Sequence, residues 1–245
     1  MTIAEVKAGV LRLGSAQVNW YLIEDEQSIT VVDAGFPAHI SQLVDALAAR
    51  RRTLDDVAAL ILTHGHSDHI GFAEQLRVDT DVPVLVHEDD AAMVTTGERP
   101  PSERPFADYQ GNAAMQAFAA EMSEAGGMQA PLIGEVQTFA DGETLDVPGR
   151  PTVVHTPGHS HGHAALVFAT HGVIIAGDAL CTHNVATGRT GAQIAAAGFN
   201  VSSNQALASL DRLAGIDGTV LVGHGDPWTN GIDAAIKEAR RLGPS

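Results

Sequence analysis

The chain predicts an α/β fold with layered packing, and three observations carry that reading. Short apolar runs bounded by Gly, Asp and Pro recur along the 245 residues, helical patterns fall between them, and the two kinds interleave rather than segregate. An apolar fraction of 44% over this length supplies one sizeable core, so a single domain spanning residues 1–245 is expected.

The runs at 18–23, 29–32, 58–62, 82–86, 152–154, 164–168, 173–176 and 220–222 read as strands. Apolar residues at helical spacing mark 39–49, 91–94 with its neighbours, 205–214 and 232–241 as helices. In the third of these Leu207, Leu210 and Ala214 share a face, and Ser202 three residues before Gln205 predicts a capping box. Residues 95–131 break the rhythm, with no convincing strand, a Pro100-Pro101 pair and three of the five methionines. A stretch that long predicts a lid insertion. Within it Met115, Phe118 and Met122 fall at helical spacing, an apolar stripe expected to pack on the core, with an adaptable wall of a substrate pocket as the sharper alternative.

Thirty acidic against fourteen basic residues leave a formal charge of -16, which disfavours nucleic acid and anionic membrane surfaces as partners. No run approaches the length of a membrane span, the first residues lack a secretory apolar stretch, and Cys181 as the sole cysteine excludes an intrachain disulfide. Cytoplasmic location and a small-molecule substrate are the resulting expectations; oligomeric state carries no signature.

Between Thr63 and Gly71 the chain reads Thr-His-Gly-His-Ser-Asp-His-Ile-Gly, placing His64, His66, Asp68 and His69 within six positions directly after an apolar run. Imidazoles and a carboxylate suit first-row divalent ions such as zinc, and folding alone has no use for three histidines so close together. Further ligands are expected at other strand ends, and three positions qualify: His159 after 152–154, Asp178 after 173–176 and His224 after 220–222. Gly158, Gly177 and Gly223 precede them, which allows a sharp turn off the strand and a close approach to an ion.

With these residues, Val-Asp-Ala-Gly at 32–35 and Gly-His-Gly-Asp at 223–226, the sequence resembles the metallo-β-lactamase superfamily of metallohydrolases over nearly its whole length. Five motifs in the family's order make a specific signal where any one would be weak. The resemblance implies a four-layer αββα sandwich, two sheets between helices. It also implies a binuclear zinc site, with iron or manganese as substitutes: His64, His66 and His159 at the first ion, Asp68, His69 and His224 at the second, and Asp178 bridging. Asp33 is implied to hydrogen-bond a ligand histidine and fix its tautomer, and His163 to support the neighbouring loop. The implied activity is hydrolysis, a hydroxide held between the metals and oriented by Asp68 attacking a carbonyl.

His183, five residues after Asp178, is a candidate proton donor or hydrogen-bond partner of the substrate. His39, His87, His155, His161 and His171 are expected to be structural or solvated, and Cys181 a buried thiol. Arg189, the one cation of residues 182–200, is a candidate for holding a substrate carboxylate. Activities of the family that need a glutathione-binding extension, a flavin domain or a basic exosite fit poorly, which leaves a small ester, lactone, thioester or amide. Two alternatives stand beside it: a mononuclear iron-dependent dioxygenase similar to persulfide dioxygenases, and a β-lactam hydrolase.

Overall fold

The structure is a computed structural model that describes residues 2–25 and 28–245. Its first sheet runs in chain order: β1 (Thr2–Lys7), β2 (Val10–Gly14), β3 (Asn19–Glu24), β4 (Ile29–Val32), β5 (Val57–Ile61), β6 (Val84–His87) and β7 (Gln137–Phe139). The first four strands pair antiparallel and the last four parallel. The second half of the chain supplies β8 (Thr152–His155), β9 (Ala164–Phe168), β10 (Val173–Gly177), the ribbon β11 (Cys181–His183) and β12 (Thr190–Gln193), and β13 (Thr219–Val222). The second sheet has the order β13-β10-β9-β8, with β10 and β13 parallel. The helices are α1 (Ile40–Ala49), α2 (Ala73–Thr80), α3 (Ala91–Thr96), α4 (Ala113–Glu124), α5 (Ser203–Ser209) and α6 (Ile232–Leu242).

The two-residue period of a strand explains the layering. Leu11, Leu13, Trp20, Leu22 and Leu60 point from the first sheet onto Leu43, Leu47 and Leu76 of α1 and α2. Their neighbours Val10, Tyr21, Ile23, Ala59 and Ile61 point the other way, onto Leu166, Phe168, Ile175 and Leu221 of the second sheet. The far face of that sheet, with Ala165, Ile174, Val220 and Val222, is covered by α5 and α6 through Ala206, Ile232, Ala235 and Ile236. Central strands are therefore apolar on both faces and read as continuous hydrophobic runs. The result is the αββα sandwich that the resemblance implied.

Five strands and one helix are absent from the sequence reading; β2 is apolar and buried through Val10, Leu11 and Leu13 and was simply missed, whereas the other four strands and the helix carry little apolar signal. β1 is largely exposed, β7 and β11 have three residues each, and β12 reads Thr-Gly-Ala-Gln; backbone pairing with neighbours, not side-chain burial, defines them. α2 buries only Ala73 and Leu76. The helix expected at 205–214 is α5 followed by a 3-10 turn, Leu210–Leu213, and Ser202 Oγ accepts from Gln205 N at 3.2 Å, one half of the expected box. Residues 97–131 hold no strand; α4 carries Met115 and Phe118 into a small cluster with Phe36, Tyr109, Val185 and Ala196.

Because β4, β5 and β6 run parallel, as do β10 and β13, the loops after these strands gather at one edge of the sandwich, the usual place for a site in such sheets. The sheet-to-sheet core predicts a sharp contrast in denaturant unfolding: Leu166→Ala, fully buried, loses about 3 kcal/mol. Val78→Ala, 64% exposed, changes stability by less than about 0.5 kcal/mol.

Candidate metal centre

Asp33 stands at the end of β4 with φ 61, a left-handed conformation that Asp tolerates better than most residues. Its carboxylate accepts from Thr63 N at 2.8 Å, Thr63 Oγ1 at 2.9 Å and His69 Nδ1 at 2.9 Å. With its proton committed to Asp33, Thr63 Oγ1 accepts from His64 Nδ1 at 3.0 Å. His159 Nδ1 likewise donates to Asn200 Oδ1 at 3.0 Å, and His224 Nδ1 to the Gln17 carbonyl at 2.6 Å. Four rings thus donate through the outer Nδ1 and turn Nε2 inward, the orientation a metal ligand needs.

The inward nitrogens converge. His64 Nε2, His66 Nδ1 and His159 Nε2 lie 2.8, 3.1 and 3.2 Å apart in pairs. Nitrogens bound tetrahedrally to one zinc ion sit about 3.3 Å from one another, so this triangle has the dimensions of a coordination face. A second group forms beside it: His69 Nε2 lies 3.6 Å and His224 Nε2 3.5 Å from Asp68 Oδ2. Asp178 stands between the groups, Oδ2 at 3.3 Å from His159 Nε2 and 3.1 Å from His224 Nε2, Oδ1 at 3.6 Å from His69 Nε2. His69 Nε2 and Asp178 Oδ1 are buried without any hydrogen-bond partner. Leaving such atoms unsatisfied costs about 1–3 kcal/mol each, and a divalent cation would satisfy both. The donor set fits divalent metal ions.

The backbone around Asp178 is shaped for this approach. Gly177 turns off β10 at φ 49, and His163 Nε2 accepts from the Asp178 N–H at 2.9 Å while Nδ1 donates to Thr156 Oγ1 at 2.8 Å. A Cβ on Gly223 would lie 2.0 Å from Asp178 Oδ1, so only glycine lets the His224 loop pass. That loop is anchored by Asn19, whose Nδ2 donates to the Val222 and Gly225 carbonyls at 2.8 and 2.7 Å. Asp90, buried and absent from the sequence reading, ties the two loops of the first group together. It accepts from Gly65 N at 3.0 Å, Ser160 Oγ at 2.6 Å and Gly162 N at 2.7 Å.

Burial, and then the neighbouring rings, hold His64 and His66 well below the usual imidazole range. At Asp178 burial opposes charge, but His224 and His69 overcome it and hold the carboxyl well below its usual range. Burial also acts against charge on His69, yet Asp178, Asp68 and Asp33 together raise it to about 10. The cluster without a cation therefore draws a proton into the place a metal would take. Burial pushes the Cys181 thiol up, which keeps it protonated and unsuited to ligation.

Two connected spaces open on the donors. A cleft of about 20 Å³, room for one water-sized group, is bounded by His66, Asp68, His159, Asp178, His183 and His224. A cavity of about 380 Å³ shares His66, Asp68 and His159 and continues past Met115, Phe118 and Met122, so the expected stripe on α4 both packs and lines the cavity. His183 borders the cleft. Arg189 does not reach either space, and its expected role is corrected. Its guanidinium donates to Gln193 Oε1 and to the Leu242 and Gly243 carbonyls at the C-terminal end of α6, where a cation satisfies unpaired carbonyls and the helix dipole. The cation at the cavity is Arg99, which the sequence reading passed over. A separate grouping, His87, Asp89 and His155, has one nitrogen of each ring engaged: His87 Nδ1 accepts from Asp89 N and His155 Nε2 donates to the His161 carbonyl.

Inward-facing His and Asp donors at the edge of an αββα sandwich define the class of metal-dependent hydrolase folds. The chain belongs to the metallo-β-lactamase superfamily, whose family model matches residues 13–225. It is 29% identical over 235 residues to the probable metallo-hydrolase YflN of Bacillus subtilis, covering 92% of this chain and 87% of that one. It is 29% identical over 161 residues to the hydroxyacylglutathione hydrolase of Aeromonas salmonicida, covering 65% of this chain and 45% of that protein. The metallo-beta-lactamase family protein TTHA1429 of Thermus thermophilus superposes with a TM-score of 0.68 at 26% identity, over 97% of this chain and 79% of that one.

Two outcomes follow from this geometry. Asp90→Ala weakens zinc affinity, measured by chelator competition, by about 10- to 100-fold while leaving every donor in place. Zinc titrated into stripped protein at pH 7.5 releases at least one proton, read by calorimetry in buffers of different ionisation enthalpy. His69, raised to about 10, holds that proton at neutral pH, so affinity climbs as pH rises toward about 10.

Proposed function

We propose that the protein is a binuclear zinc hydrolase that cleaves a small ester, lactone, thioester or amide at its carbonyl. The observation that supports two ions is the position of Asp178, whose two oxygens face His159, His224 and His69 across both donor groups. When bound, such ions supply Lewis acidity toward a carbonyl oxygen and lower the pKa of water from about 16 toward about 7.

The chain's own residues supply the rest. Asp68 borders both spaces and accepts a hydrogen bond from the attacking water, which orients it. His183 is held below the ordinary imidazole value by burial and then by His224, so it is neutral at pH 7. A neutral ring donates an N–H hydrogen bond to the substrate carbonyl or leaving group instead of delivering a proton as imidazolium. Phe118, Val185, Ala195, Ala196 and Phe199 close the cleft on its other side and exclude competing water, which strengthens every polar contact inside.

The hydroxyacylglutathione hydrolase among the relatives supports an acyl substrate. Full second-group donors count against a mononuclear iron dioxygenase. A formal charge of -16 and a single cation on the cavity wall favour a small molecule over nucleic acid.

The test is a panel of lactones, thioesters, aryl esters, β-lactams and phosphodiesters offered to zinc-loaded protein. Activity is expected on carbonyl substrates, and Asp178→Ala is expected to lower kcat/KM by about 1,000-fold and the zinc content with it. Turnover confined to phosphodiesters, or one iron and no zinc in protein purified without added metal, overturns the assignment.

A further inference from the structure

The methionines of this chain are not scattered. Apart from Met1, all four, Met93, Met115, Met122 and Met128, line the larger of the two spaces beside the donors. The three large core clusters are built without methionine, from Leu, Ile, Val, Ala and aromatic residues. Unbranched thioethers fill irregular space and adjust to a partner's shape, so their segregation marks a wall that must accommodate something flexible. Three phenylalanines complete it: Phe199 lies edge-on to Phe106 at 5.2 Å and to Phe118 at 6.1 Å.

The cavity is graded. Its floor is buried, Met115 and Phe118 each 2% exposed, whereas Phe106 and Met128 at its mouth are 41% and 66% exposed. Large apolar side chains left open to water at the entrance of an apolar cavity gain area burial when an apolar ligand enters. Arg99 is the only Lys or Arg on the wall, and no hydrogen bond or ion pair engages its guanidinium among the described residues.

We propose that this cavity seats the medium-length acyl chain of an ester or thioester substrate, and that Arg99 holds a negative charge at the substrate's polar end. The reading of the occupant as a substrate rests on the hydrolase assignment; the existence of the chain pocket does not.

Calorimetric titration of metal-stripped protein with straight-chain carboxylates from butanoate to decanoate tests it. Affinity is expected to rise about fourfold per added methylene until the cavity is filled. A flat series overturns the proposal. Arg99→Ala, at an exposed position that leaves the fold intact, is expected to weaken octanoate about threefold to fivefold and leave octanol unchanged. An unchanged ratio of the two overturns the role of Arg99. Met128→Asp, also exposed, is expected to weaken decanoate more than butanoate; equal losses overturn the chain pocket. The two failures are distinguishable. Chain-length-dependent binding with no turnover of any carbonyl substrate sinks only the hydrolase reading, and turnover without chain-length dependence sinks only the pocket.

Discussion

The carboxylate of Asp33 is the interaction on which the centre depends. It joins the ends of β4 and β5 by accepting from the Thr63 backbone and hydroxyl, and it fixes two ring tautomers, His69 directly and His64 through Thr63. A neutral acceptor in its place would leave both rings free to flip their proton inward, where it would compete with a cation. The cost is local: a non-glycine residue held at positive φ and a fully buried charge. Both are tolerated because three donors, the Thr63 N–H, the Thr63 hydroxyl and the His69 ring, surround the group.

The donors themselves were legible in the sequence because ligands for one cluster must leave strand ends at matching heights, so a His or Asp after each apolar run, with glycine in front, is a readable pattern. The structure shows what that glycine does at each place. At Gly177 it supplies a left-handed turn, and at Gly223 it makes room for a carboxylate oxygen. The residues that aim the donors left no such trace. Asp90 reaches Ser160 across seventy positions and Gly162 across seventy-two, Asn200 reaches His159 across forty-one, and Asn19 reaches Val222 across two hundred and three. Each could pass for an ordinary cap or turn residue, since its partner is set by the fold alone.

Layering shows the same division. Runs such as Ile29–Val32 and Ala164–Phe168 were readable as strands because both faces are buried. Which face meets the helices and which meets the other sheet depends on pairing order, and no run states that by itself. Arg189 was expected at the pocket, and Arg99 passed over, for a related reason. Arg189 and Arg99 look alike in sequence, and only the position of the α6 C-terminus next to Arg189 engages the first and leaves the second at the cavity.

Each donor group draws from both sheets: the loop after β5 belongs to the first, and the loops carrying His159 and His224 belong to the second. An ion seated there is a cross-link as well as a reagent, closing a chain loop of 95 residues between His64 and His159. In chain-entropy terms a covalent tie over such a loop is worth about 4–5 kcal/mol, a large part of an ordinary domain's whole stability. Donors from both halves of the chain thus meet at one edge of the sandwich, and a bound ion would tie the two halves together there.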